Sequence, residues 1–236
     1  MSRTSPTKLL TQLESVEGWL RDDEAILLNQ LAAQATPGTI IVEIGSWKGK
    51  STIALALSAK VPVYAIDPHT GSPEHHQKGK PVDTYKDFLN NIKSHNLTKK
   101  VKPLRLTSKE AAKKINKPIS FLFIDGDHSY QAVSQDFKDY YPKLQLGGTI
   151  AFHDTISWPG PRQLVTQQLY FGNHFKNIRL VGSITYAQKT LSLTVVDRLK
   201  NLSAYILRLL RNLIAAIPMP RSIKTVLKNI FQRLQA

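Results

Sequence analysis

Short apolar runs rich in β-branched residues alternate with helical segments along residues 39–154, and this alternation constrains the fold more than any other feature. The runs lie at residues 39–45, 61–67, 101–107, 120–125 and 147–154. The connections between them are too long for hairpins, so the strands should run parallel with helices on both faces of the sheet. We therefore predict a doubly wound α/β fold with a mostly parallel sheet, followed by a late strand pair.

The chain divides into three segments of different character. Apolar residues recur at helical spacing over 7–17 and 22–35, before a proline–glycine pair. We assign residues 1–36 to an N-terminal helical segment, 37–196 to the α/β domain and 197–236 to a basic, amphipathic helical tail.

The composition excludes several classes of site. The chain has no cysteine, which excludes disulfides, thiolate zinc sites, iron–sulfur clusters and cysteine nucleophiles. The absence of cysteine fits a reducing compartment, and we expect a cytoplasmic protein. No run of 18 apolar residues occurs, so the sequence predicts no membrane span. The oligomeric state is left open.

The first strand ends in a glycine loop that has three interpretations. A phosphate-binding loop, G-x-x-x-x-G-K-[ST], needs four residues between its glycines, but Gly45 and Gly49 are separated by three and Ile44 occupies the expected glycine position. The second interpretation is E-x-G-x-x-x-G, beginning at Glu43, for an adenosyl cofactor. The third is a structural glycine turn in an unrelated α/β fold.

An acidic residue supports the adenosyl interpretation. Asp67 ends the second strand about twenty residues after the loop, where an acid accepts both ribose hydroxyls in dinucleotide-binding folds. Gly45 would let the backbone approach the ligand closely. Trp47 interrupts the G-x-G-x-x-G pattern, which argues against NAD or FAD.

Acidic and histidine residues follow the fourth and fifth strands. Asp125, Asp127 and His128 come after one strand, and His153 and Asp154 end the next. If these strands are neighbours, Asp125 and Asp154 face each other, and a carboxylate pair suits magnesium or another hard divalent cation. The alternative is structural, because Asp-Gly-Asp also forms turns and caps helices.

The segments EIGSWKGKSTIALA and YAID resemble the cofactor loop of class I S-adenosylmethionine-dependent methyltransferases, which have a Rossmann-like fold. Together with GWLRDDEAILLNQLA, FIDGDHSYQAVSQDF and LQLGGTIAFHD, they resemble the bacterial methyltransferase domain 24 family over residues 17–190. That family is similar to the macrocin-type sugar O-methyltransferases, which use magnesium.

The resemblance implies that S-adenosylmethionine binds at the strand ends, with the loop along its methionine and ribose, Asp67 on the ribose hydroxyls and Ser108 near the adenine. The implied cofactor residues are Glu43, Gly45, Ser46, Gly49, Asp67, Ser108 and Asp125.

The resemblance also implies a metal and a base. Asp125 and Asp154 become metal ligands, and His153 replaces the first acid of an Asp-Asp pair. This replacement makes the site softer, so manganese, iron or zinc are alternatives to magnesium. The base that accepts the acceptor's proton is Asp127, His128 or His153. We expect His75 and His76 to be solvated loop residues rather than part of a lid.

The implied reaction is O-methylation of a hydroxyl on a sugar, a glycan or a lipid-linked glycan. Two alternatives are a P-loop-like nucleotide hydrolase and a non-catalytic module that binds an adenosyl cofactor or a membrane.

The tail is strongly basic. Residues 198–236 contain eight lysines and arginines and no acid, within a chain of net charge +15. Apolar residues recur there at helical spacing, interrupted at Pro218 and Pro220. The tail is either a helix pair docked on the body with solvated basic residues, or a helix on an anionic membrane surface, which would place the protein at the inner face of the membrane. We expect no nucleic-acid binding, because the stripe lacks base-stacking aromatic residues.

Overall fold

The computed structural model describes residues 5–71 and 82–216. His75, His76 and the second half of the tail lie outside the described residues, so the predictions made for them stay predictions.

The described strands form one seven-stranded sheet. They are β1 (Ile40–Ile44), β2 (Val63–Ile66), β3 (Val101–Leu104), β4 (Ile119–Ile124), β5 (Leu144–Phe152), β6 (Phe175–Val181) and β7 (Ile184–Lys189). The described α-helices are α1 (Pro6–Leu13), α2 (Asp22–Ala32), α3 (Lys50–Ser58), α4 (Tyr85–Ser94), α5 (Ser108–Lys114), α6 (Tyr130–Tyr140), α7 (Pro159–Val165) and α8 (Val195–Ala216). A 3-10 turn (Tyr141–Lys143) precedes β5, and a π-helical turn (Thr166–Tyr170) follows α7.

The strand order is β3-β2-β1-β4-β5-β7-β6. The first five strands pair in parallel, whereas β7 runs antiparallel to both β5 and β6. This order confirms the predicted doubly wound, mostly parallel sheet and the late strand pair. It also confirms that β4 and β5 are neighbours, which brings the ends of both acidic segments together.

Helices cover both faces of the sheet because the central strands are apolar on both sides. Every residue of β1 and of β4 is buried, as expected for strands of a parallel sheet. One core cluster joins the sheet to α1–α4, and the other joins it to α5, α6 and α7. The carboxyl ends of the parallel strands remain open for a ligand.

Several predicted boundaries differ from the observed ones, including the end of the third strand, which is Leu104 and not residue 107. The first two helices end earlier, at Leu13 and Ala32. The fifth strand begins at Leu144, so Gly147 and Gly148 lie inside it and are not its first residues. Gly147 has a φ of +74°, which glycine adopts without strain.

The described part of the tail packs against the body through its polar side. Asn201 and Arg208 are buried, whereas Leu202, Ile206 and Leu209 are exposed. Helix α8 therefore docks on the body, as in the docked-helix alternative, but Arg208 is buried instead of solvated and these apolar residues face outward. No helix in the described parts of the chain is both long and apolar enough to cross a membrane.

Candidate active site

A cleft of about 720 Å³ opens at the carboxyl ends of the parallel strands. It is bordered by the glycine loop after β1, Asp67 after β2, Ser108 after β3 and the acidic segments after β4 and β5. Its size is within the range of small-molecule and cofactor sites. The cleft therefore lies where ligands bind in open α/β sheets.

Gly45 brings the end of β1 against the end of β4. Its φ is +86°, and a Cβ atom there would overlap the carbonyl group of Asp125. Any larger residue would push the two strand ends apart, so this position needs glycine for both conformation and space.

Asp67 holds the glycine loop through its carboxylate. The amides of Ser46 and Trp47 donate to Asp67 Oδ2 at 3.0 and 2.8 Å, and the amide of His69 donates to Oδ1 at 2.6 Å. Asp67, Gly45 and Ser46 all border the cleft, as predicted for cofactor residues. Asp67 thus organises the loop in addition to facing the ligand space.

Glu43 and Gly49, also predicted to bind the cofactor, do not border the cleft. Glu43 is fully buried beneath the loop and accepts a hydrogen bond from Thr52 Oγ1. Burial raises the pKa of Glu43 to about 8, against the lowering effect of hydrogen bonds from Ser51 and Thr52. Gly49, with a φ of +92°, starts α3 and lies against the Phe88 ring. Both residues support the loop from behind.

Ser108 borders the cleft and is fixed from two sides. Its Oγ donates to Asp136 Oδ1 at 2.5 Å, and the Tyr140 hydroxyl donates to its carbonyl at 2.7 Å. Burial raises the pKa of Asp136 to about 6, although the bond from Ser108 lowers it. Asp136 also borders the cleft, so this end presents a hydroxyl and a carboxyl group.

Asp125, His128 and Asp154 form a compact group. One ligand atom from each lies within 4.8 Å of the others, in the described part of the chain. His128 Nε2 is 3.2 Å from Asp154 Oδ2, and the His128 ring stacks on Trp158 at 4.5 Å between centroids. Two carboxylates and an imidazole are a suitable ligand set for a divalent cation.

His153 lies directly behind this group. Its Nδ1 is 3.2 Å from both Asp125 Oδ1 and Asp154 Oδ2, and its Nε2 is 3.2 Å from Glu24 Oε2. Burial alone would lower the pKa of His153, but the three carboxylates outweigh it and raise the pKa well above its ordinary value. Within the described residues His128, and not His153, groups with Asp125 and Asp154, so the structure favours His128 over His153 as the third ligand.

His128 and His153 in turn lower the pKa of Asp154. Burial would raise the pKa of Asp154, but His128 and His153 hold it well below its ordinary range. Asp154 is therefore an anion at neutral pH, which is the form that binds a metal.

Asp127 has a more local environment. Its Oδ1 accepts a hydrogen bond from the amide of Ser129 at 2.7 Å, which is the turn geometry of the structural alternative. Asp127 nevertheless borders the cleft.

Three residues at strand ends adopt a left-handed backbone without being glycine. They are Trp47 (φ 46°), His69 (φ 61°) and Asp154 (φ 55°), which follow β1, β2 and β5. Such conformations carry strain and concentrate at functional sites. Their position supports the assignment of this edge of the sheet as the active site.

Residues 42–155 match the family model described as a methyltransferase domain. The match covers just under half of the chain and contains every site residue predicted from the sequence. Residues 42–155 are a methyltransferase domain.

Known proteins resemble the chain at two levels. The uncharacterized protein R132 of Acanthamoeba polyphaga mimivirus is 32% identical over 117 residues, which are 48% of this chain and 50% of that protein. The chain thus spans half the length of this relative.

Solved structures of O-methyltransferases share the fold. NovP has a TM-score of 0.60 at 18% identity, over 72% of this chain and 80% of its own. TomG from Streptomyces achromogenes, involved in tomaymycin synthesis and solved in complex with S-adenosylmethionine, has a TM-score of 0.53 at 13% identity, over 78% of this chain and 87% of its own. At these identities the likeness establishes the fold alone.

Two elements outside the matched segment complete the site of the methyltransferase domain. Glu24 on α2 reaches His153, and its carboxylate also accepts bonds from the amide and hydroxyl of Ser183. Trp158, before α7, covers His128. Sequence reasoning assigned neither a role: Glu24 lies within the segment GWLRDDEAILLNQLA but meets His153 only through tertiary packing, and Trp158 lies outside every motif.

Proposed function

We propose that the methyltransferase domain transfers a methyl group from S-adenosylmethionine to a hydroxyl oxygen, with a divalent cation at Asp125, His128 and Asp154. One observation carries this proposal: the glycine loop with Asp67 and the Asp–His–Asp group border the same cleft. A methyl donor and a metal-bound acceptor could therefore meet there.

The proposed cofactor residues follow from the groups that the cleft presents. Gly45 leaves room along the loop, Asp67 offers carboxylate oxygens for ribose hydroxyls, and Ser108 with Asp136 offers polar contacts beyond β3. Bound S-adenosylmethionine supplies an activated methyl group. The residues bind and orient it, and positioning accounts for much of the rate gain in transfers of this kind.

The proposed metal site fits a hard or borderline divalent cation. Its two carboxylates suit magnesium, and its imidazole also suits manganese, iron or zinc. A cation held there would lower the pKa of a coordinated hydroxyl group. His153 keeps Asp125 and Asp154 oriented from behind.

Elimination assigns the base. His153 is buried, with its ring nitrogens 3.2 Å from the carboxylates of Asp125, Asp154 and Glu24, and His128 belongs to the proposed ligand set. Asp127 is the remaining candidate that borders the cleft. We assign it the role of accepting the hydroxyl proton as the methyl group is transferred, a role worth about 10²–10⁴-fold in rate.

The acceptor class that we propose is a sugar hydroxyl with a neighbouring oxygen. A divalent cation can hold two adjacent oxygens, as in a vicinal diol. Trp19 and Trp158 border the cleft and are 69% and 36% exposed, so their rings are available to pack on a sugar ring. A catechol offers a similar pair of oxygens and belongs in the same screen.

The nucleotide-hydrolase alternative is not favoured. Ile44 is buried where a phosphate-binding loop needs glycine. The hydroxyl of Ser51, which such a loop would turn toward magnesium, is hydrogen-bonded to Glu43.

The first test compares nucleotides by calorimetry. S-adenosylhomocysteine should bind and ATP should not, since the loop lacks the phosphate-binding geometry. Binding of ATP alone would reject the proposal.

The second test screens labelled methyl transfer onto sugars, glycolipid precursors and catechols, with added magnesium or manganese. Asp154→Asn should abolish transfer and leave S-adenosylhomocysteine binding largely unchanged. Asp22→Asn, which alters an exposed acid outside the cleft, is the matched control. Full transfer in EDTA would reject the metal but not the methyltransferase.

A further inference from the structure

Helix α8 carries an uninterrupted apolar stripe that faces away from the body. The stripe residues are 43–74% exposed. They are Val195, Leu199, Leu202, Ile206, Leu209, Leu210 and Leu213. At 100° per residue these positions fall within about a third of the helix circumference, and the helix is about 33 Å long. Exposed apolar surface of this extent marks an interaction site.

Buried hydrogen bonds fix the opposite side of α8 to the body. Asn201 Nδ2 donates to the carbonyl of Phe175 at 2.9 Å, and Arg208 Nη2 donates to the carbonyl of Thr155 at 3.0 Å. Arg211 Nη2 donates to the carbonyl of Gly182 at 2.9 Å. Rotating the helix to bury its leucines would break these hydrogen bonds and leave the guanidinium groups of Arg208 and Arg211 without these carbonyl partners. The outward orientation is therefore built into the fold.

We propose that α8 lies on an anionic lipid membrane, with its apolar stripe inserted at the boundary between headgroups and acyl chains. Charge complementarity supports this occupant, because residues 198–236 contain eight basic residues and no acid. Arg208 and Arg211 bind the body, and Arg198 donates to Asn173 Oδ1 at 3.1 Å, so the charges left for the headgroups are Lys200 and the four basic residues that follow Ala216 in the sequence. Apolar insertion with basic flanks is the arrangement of interfacial helices.

Charge also argues against a second copy of the chain on this stripe. Each chain has a net charge of +15, and pairing two tails would bring their acid-free basic segments together. A nucleic acid is disfavoured because the stripe is entirely aliphatic and offers no ring for base stacking.

The test measures co-sedimentation of the full chain with vesicles of phosphatidylcholine mixed with phosphatidylglycerol. We expect binding that weakens as salt is raised and is much weaker on pure phosphatidylcholine. Leu202→Gln combined with Ile206→Gln should lower vesicle affinity at least about tenfold. Both positions are exposed, so circular dichroism and thermal unfolding should be unchanged.

Leu146→Gln is the matched control, since Leu146 is an exposed leucine on β5, outside the stripe. Its vesicle affinity should equal that of the parent chain. Three outcomes would overturn the proposal: no binding of the parent chain to anionic vesicles, an equal loss in the control, or a dimer in sedimentation analysis that only the double variant dissociates. The last outcome would assign the stripe to a second copy.

Discussion

His153 contacts carboxylates from three separate parts of the fold, and its charge explains how they coexist. Glu24 comes from α2, Asp125 follows β4 and Asp154 follows β5. These carboxylates raise the pKa of His153, while Asp125 and Asp154 also face the cleft with side chains that are 24% and 25% exposed. Carboxylates that converge in this way favour a bound cation.

The positions of the acidic residues could be predicted from the sequence, but their partners could not. Asp125 and Asp154 converge because parallel strands end at the same edge of a sheet. The placement of His128 beside Asp154 and of His153 behind it accompanies the left-handed backbone of Asp154 and a contact from His153 to Glu24, which is 129 positions away. No local pattern encodes such a distant contact.

Glu43 should make stability depend on pH. Its pKa in the folded chain, about 8, lies above the ordinary value of 4.5. Between these values the folded chain keeps a proton that the unfolded chain has lost, so this residue makes the free energy of unfolding fall as pH rises. The slope for one proton is at most about 1.4 kcal/mol per pH unit.

Urea unfolding from about pH 5 to pH 8 measures this effect. The parent chain should lose more stability over this interval than Glu43→Gln, which has no proton to lose. If the free energy of unfolding changed with pH equally in the two chains, Glu43 would already be ionised in the folded chain at about pH 5.

Asp67 should be required for cofactor affinity. Asp67→Asn keeps one oxygen for the loop amides but loses the charge, and hydrogen bonds to charged groups contribute about 1.5–3 kcal/mol. We expect S-adenosylhomocysteine to bind at least about tenfold more weakly, as measured by calorimetry. Asp67→Ala should in addition lower the melting temperature, because it also releases the amides of Ser46 and Trp47. Unchanged affinity in both variants would remove Asp67 from the cofactor site.

At the scale of elements, the periodicity of α8 shows that the helix has two faces, but not which face meets the body. Burying leucines is the usual outcome for a helix on a globular domain. Here the inner side of the helix meets the carbonyls of Phe175, Thr155 and Gly182, which accept hydrogen bonds from Asn201, Arg208 and Arg211.

Truncation separates the two parts of the tail. A chain ending at Val196 loses all three of these donors and should have a clearly lower melting temperature, because a hydrogen bond between neutral groups, such as that of Asn201, contributes about 0.5–1.5 kcal/mol and one from a charged donor about 1.5–3 kcal/mol. A chain ending at Ala216 keeps them and should melt close to the full-length protein. Calorimetric scans of both chains check this. Equal melting of the two would mean that α8 is a dispensable appendage.

At the scale of the whole molecule, Arg208 joins α8 by a hydrogen bond to the backbone of Thr155, the residue next to Asp154. Its guanidinium group holds the carbonyl of Thr155. A membrane bound to α8 and a nucleoside bound in the cleft would then be coupled through this bond. By equilibrium linkage, each ligand changes the affinity for the other by the same factor. If vesicles change the affinity for S-adenosylhomocysteine by some factor, S-adenosylhomocysteine must change the affinity for vesicles by that same factor.

Paired titrations measure the two factors independently, and they must agree. Arg208→Gln should bring both factors toward one, because it removes the hydrogen bond between α8 and the carbonyl of Thr155. A factor of one in the parent chain would mean that membrane binding and cofactor binding are uncoupled. If the coupling is favourable, the chain would bind its methyl donor preferentially where it is already adsorbed to a membrane. Under the proposed function, methyl transfer would then be concentrated at that surface.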